Sequence, residues 1–66
     1  MSADERRQRI LKIIKESSYP VTGAYLAGLL GVSRQVIVQD IAILRAAGEE
    51  IIATPQGYMI PKNIYP

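Results

Sequence analysis

Only Gly31, Val32 and Ser33 separate two segments that both read as helices, and no other feature constrains the fold as tightly. On one side stands "GAYLAGLL", opened by Thr22 as a hydroxyl cap, with Gly31 placed to end it. On the other side stands "RQVIVQDIAILRAA", with Ser33 as its N-cap and Gly48 as its C′ stop. Two helices joined by so tight a glycine-containing turn must cross at a steep angle.

The flanks complete the pattern. In "MSADERRQRILKIIKESS", Ile10, Leu11, Ile13 and Ile14 cluster on one helical side, opposite Gln8, Arg9, Lys12 and Lys15. This predicts an amphipathic first helix over Asp4 to Glu16. Pro20 then holds Tyr19 extended, giving a short extended link before Thr22. After the third helix, Ile51 and Ile52 begin a β-like run, "TPQG" is turn chemistry, and "YMI" resumes an extended run. The fold class is therefore mainly α with a small β-hairpin, a winged helix-turn-helix of three helices plus a wing. It is placed over residues 1–61. Residues 62–66 are expected to begin a linker to a C-terminal effector domain outside the sequence.

In the third helix, Ile41 and Leu44 lie within roughly 40° of Ile37, the stripe of a buried face. Val36, Ile43 and Ala47 are expected to widen it. Asp40 projects toward the same apolar side. A buried carboxylate needs a cation or backbone amides, and the basic first helix could provide the cation. Ala27 and Gly28 are expected to admit a neighbouring helix closely, and Tyr19, Tyr25 and Tyr58 to be half-buried packing residues.

Sixty-six residues are enough for one small domain, too small to enclose a deep catalytic pocket easily. The chain has neither Cys nor His, and so lacks the commonest metal ligands and the commonest general base. This chemistry argues against an enzyme and for no cofactor or metal held by this chain. The net charge is only +2, but Arg6, Arg7, Arg9, Lys12 and Lys15 are five of the eight basic residues. No apolar run approaches the roughly 18 residues of a membrane span. Asp4, Glu5 and Glu16 argue against a transit peptide, and a cytoplasmic protein without membrane contact is expected.

The remaining side of the third helix collects Arg34, Gln35, Val38, Gln39, Ala42, Arg45 and Ala46, with no carboxylate among them. Such a face suits double-stranded DNA. Arg pairs bidentately with guanine, Gln with adenine, and a Val methyl meets a thymine methyl, whereas an acid would be repelled by phosphates. Arg34 and Gln35 stand in the first turn, where recognition helices touch base edges. Arg45 stands in the last turn. Thr22, with the amides of Gly23 and Ala24, could receive a phosphate, Gln56 at the wing tip could reach a groove, and Lys62 a phosphate. A winged helix can also be a protein-docking module, in which case Val38, Ala42 and Ala46 would form its contact patch.

The run "GVSRQVIVQDIAILRAAGEEIIATPQGY" resembles the DNA-binding domain of the niacin-responsive transcriptional repressors, regulators of NAD biosynthesis and niacin uptake genes in bacteria. The resemblance is carried by "SRQVIVQDI", "LR" and "ATPQGY" and runs through nearly the whole chain. More broadly, the pattern from Gly-x-Ser-Arg to Gly-Tyr is similar to the N-terminal domain of the biotin protein ligase/repressor. The resemblance to the niacin regulators implies DNA contact at Ser33, Arg34, Gln35, Val38 and Gln39. It also implies a homodimeric full-length repressor whose second domain binds a metal through histidines and senses nicotinic acid. With no His here, those residues have no counterpart in this sequence. The broader similarity leaves a second alternative, the appended DNA-binding domain of a biotin ligase.

Overall fold

A hydroxyl side chain starts every helix of the computed structural model, which describes residues 1–61. The expected contact of Lys62 and the expected linker over 62–66 lie outside the described residues. Helix α1 spans Ala3–Glu16, α2 Gly23–Leu30 and α3 Arg34–Ala46. Ser2, Thr22 and Ser33 accept from the backbone N–H groups of Glu5, Tyr25 and Val36 at 3.1, 3.0 and 3.2 Å. Each satisfies a donor that the first helical turn leaves without a partner. Glu5 reaches back to the Ser2 amide, so a capping box begins α1 at Ala3, one residue before the expected Asp4.

Helices α2 and α3 also end alike. Gly31 adopts the left-handed conformation (φ 69°), and the Val32 amide closes onto the Ala27 carbonyl at 3.0 Å. Gly48 follows the Ala47 cap, and Glu49 closes onto the Leu44 carbonyl at the same distance. Because Gly31 reverses the chain so abruptly, the α2 and α3 axes turn through 107°. No single helix among the described residues is long and apolar enough to cross a membrane.

The hairpin pairs β1, Ile52–Thr54, with β2, Gly57–Met59, in antiparallel register, Ile52 opposite Met59 and Thr54 opposite Gly57. Pro55 and Gln56 form the turn. The Thr54 hydroxyl locks it, accepting from the Gln56 amide at 3.2 Å and donating to the Gly57 carbonyl at 2.8 Å. The link between α1 and α2 adds a third, one-residue strand. Val21 exchanges both backbone hydrogen bonds with Tyr58, at 2.8 and 2.7 Å.

Ile10, Leu11 and Ile14 of α1 meet Leu26 and Ala27 of α2 and Ile37, Ile41 and Leu44 of α3, with Val21 and Ile51 closing the core. Several packing expectations are corrected. Ile43 is 49% exposed, because it stands about 120° round α3 from Ile37, beyond the arc covered by α1. Ala47, the helix cap, is also exposed, while Val36 and Ile13 are half-buried. Gly28 faces outward with nothing within 4 Å of a Cβ placed on it, so it admits no neighbour. Tyr58 is half-buried against the core, but Tyr19 and Tyr25 are 80% and 57% exposed. Only Tyr58 is carried inward by a backbone bridge.

Candidate nucleic-acid interface

With Ile37, Asp40, Ile41 and Leu44 turned inward, α3 has a fixed outer arc. Arg34, Gln35, Val38, Gln39, Ala42, Arg45 and Ala46 are all exposed along it. Among the described residues no ion pair engages Arg34 or Arg45, so both guanidinium groups are available to an outside partner. A helix of 13 residues is about 20 Å long and 10–12 Å across, a shape that the major groove of DNA accepts.

The wing folds back beside the start of this helix. Thr22, Arg34, Gln56 and the rest of the turn from Thr54 to Gly57 line a single open cleft of about 270 Å³. Three residues far apart in sequence thus share one surface. Gln35, Val38 and Gln39 stand outside the cleft on the helix face, and Arg45 lies about 16 Å along the axis from Arg34. Ser33 and Thr22 are exposed, but their oxygens are engaged by the helix amides described above. Each hydroxyl still has a proton to donate to a phosphate oxygen.

Gly57 shapes the cleft in a way its place in a turn does not reveal. Its φ is 138°, and a Cβ there would meet the Val21 backbone at 2.7 Å and the Thr22 nitrogen at 3.0 Å. The wing therefore lies directly on the backbone that opens α2. The missed signal was the extended Val21 after Pro20, a one-residue strand too short to show periodicity.

Behind the outer arc lies the acid of α3. Asp40 is 2% exposed. Arg6 Nε reaches its Oδ2 at 2.5 Å and Arg6 Nη2 its Oδ1 at 3.0 Å. Arg7 adds a longer contact to Oδ1 at 3.4 Å and holds Asp4 at 2.6 Å. The cation that Asp40 requires thus comes from the first helix, and two of that helix's five cations are committed internally.

The Arg6 hydrogen bonds, helped by the charges of Arg6 and Arg7, hold the Asp40 carboxyl below its ordinary value of 3.8 against the opposing effect of burial. A carboxyl lowered in the folded state contributes stability that is complete above its unfolded value and is lost as pH falls through the folded one. The melting temperature should therefore be flat from neutral pH to about pH 5 and fall below about pH 4. Asp40→Asn should start lower and lose much of that acid slope. An equally steep slope in the variant would assign the acid sensitivity to other carboxylates.

Residues 6–59 match the family described as "HTH domain". The "Probable transcription repressor NiaR" of Thermotoga maritima is 57% identical over 56 residues, which are 85% of this chain and 32% of that protein. The "Transcription repressor NadR" of Bacillus subtilis is 56% identical over 54 residues, 82% of this chain and 30% of that protein. The chain spans about a third of the length of these curated relatives.

Proposed function

The chain belongs to the HTH domain family, and on that premise we propose that it is the operator-reading module of a bacterial transcription repressor. The observation that carries this reading is the outer arc of α3, two arginines that no ion pair engages among the described residues and two amides, with no carboxylate. In the proposed complex α3 enters the major groove, with Arg34, Gln35, Val38 and Gln39 toward base edges. Thr22, Ser33 and Arg45 meet phosphates, and Gln56 brings the wing to the adjoining groove.

The names of the two relatives support a repressor, and the motif "SRQVIVQDI" supports one responsive to niacin. In this reading the metal and nicotinic acid are bound by the part of such repressors that this chain does not span. That part also pairs two modules on two half-sites, which raises avidity without any new base contact. Among the described residues no three potential ligands gather to hold a metal ion. Calorimetry of nicotinic acid and nickel against this chain should give no heat of binding, and saturable binding would move sensing into this domain.

The direct test selects duplexes with the chain and then titrates single-base variants in competition. Gln35→Ala or Gln39→Ala should relax preference at one or two base pairs, by about 1–3 kcal/mol each. Arg34→Ala should weaken binding further. If all three variants keep wild-type affinity and preference, α3 is not the reader.

A further inference from the structure

We propose that Asp40 is a positioning residue for base readout, its two-oxygen pairing with Arg6 setting the rotation of α3 about its own axis. The inference rests on α3 being the reading helix. Asp40 cannot touch DNA itself. It is buried, and it lies roughly 170° round the helix from the centre of the outer arc. Whatever it does for recognition it does by holding the helix.

The rest of the contact between α1 and α3 is poorly suited to that task. Ile37, Ile41 and Leu44 pack against Ile10, Leu11 and Ile14 through apolar surface, and such attraction is non-directional. α2 and the Gly31–Ser33 turn hold the start of α3, and among the described residues Asp40 makes the only side-chain hydrogen bonds from α3 to another element. The Arg6 fork differs, because Nε and Nη2 each meet a separate Asp40 oxygen, and a planar fork on a carboxylate tolerates little rotation. Arg7 adds a second tether to Oδ1 and is itself fixed to Asp4 in the first turn of α1. Asp40 sits midway along α3, where one anchor controls both ends.

Geometry sets the sensitivity. Side-chain atoms about 5–6 Å from a helix axis move by roughly 2 Å when the helix rolls by about 20°. Base-edge hydrogen bonds survive shifts of only a few tenths of an ångström. A roll of only about 5–10° moves those atoms by roughly 0.5–1 Å, enough to take Gln35 and Gln39 off their base edges.

Stability and positioning can be separated, because a buried ion pair is often replaceable by apolar residues of similar volume without loss of stability. The experiment compares the full chain with Arg6→Lys and with the double variant Arg6→Met/Asp40→Leu. Arg6→Lys keeps the charge on a partly exposed side chain but removes the fork. Three readouts are taken: thermal melting, residual dipolar couplings of α3 relative to α1, and competition titrations on duplexes selected by the wild-type chain. Both variants should stay folded, with altered or averaged α3 couplings. Discrimination against base changes read by Gln35 and Gln39 should fall about tenfold, while nonspecific affinity and its salt dependence hold.

Wild-type couplings and wild-type discrimination in either folded variant would overturn the proposal. If the double variant does not fold, Arg6→Lys decides alone. If the wild-type chain selects no preferred duplex, the base-reading premise fails, and the couplings still decide whether Asp40 sets the helix. A lower melting temperature with unchanged couplings would also overturn it, because the pair would then be structural only.

Discussion

Gly57→Val is expected to lower the melting temperature by roughly 12–24 °C and to remove DNA binding at concentrations where the wild-type chain binds. Two costs combine. A branched side chain at a φ of 138° is strained by about 1–2 kcal/mol. The Cβ also falls 2.7 Å from the Val21 carbonyl carbon and oxygen, and backbone cannot give way as a flexible side chain can. Overpacking of this kind costs about 1–3 kcal/mol. A total of about 3 kcal/mol converts to the stated shift for a domain of this size. Gly57→Ala should show most of the effect, because its Cβ alone makes the contact. Melting curves followed by circular dichroism check the first claim and fluorescence anisotropy with labelled duplex the second. A shift below a few degrees would mean that the wing can lift off Val21 freely.

Asp40→Ala is expected to cost about 3 kcal/mol, or roughly 12–24 °C in melting temperature. It removes both acceptor oxygens of Arg6 and one contact of Arg7 and leaves a hole beside Ile37 and Ile41. The guanidinium groups are partly exposed and can turn toward water, which keeps the loss at the low end for a broken buried pair. Asp40→Leu alone should recover some packing but not the partner of Arg6. Denaturant titration measures both, and a loss below about 1 kcal/mol for Asp40→Ala would show that the pair adds little to stability.

The helix ends were legible in the sequence because their causes are local. A hydroxyl before an apolar period and a glycine after it act within one turn. That is why Thr22, Ser33, Gly31 and Gly48 stand where the sequence places them. The need of Asp40 for a cation was legible too, as burial of its carboxylate follows from its place on the apolar side. Which arginines answer it depends on how α1 crosses α3, and that crossing is tertiary. Ile43 was misplaced for the same reason, since periodicity orients a buried arc but its width depends on the element above. Tyr19 and Tyr25 went wrong through residue type alone, which says that an aromatic ring can be buried and not what would cover it. As for the candidate site, the composition of the outer arc of α3 could be read directly. The cleft joining Thr22, Arg34 and Gln56 could not, because it exists only once Gly57 lets the wing rest on Val21.

The pairing of Val21 with Tyr58 has a consequence for the order in which the molecule assembles. The helices close contacts over three or four residues and form within about a microsecond, whereas this bridge joins positions 37 residues apart and must bring together a long stretch of chain. It belongs with the late events of folding, after α1, α2 and α3 have collected around Ile10, Leu26 and Ile37. The reverse holds for local opening. The amide protons of Val21 and Tyr58 are held by one another's carbonyls, so a fluctuation that frees one frees both, and the hairpin leaves the start of α2 in the same motion. In that order the outer arc of α3 is presented before the wing side of the cleft is in place.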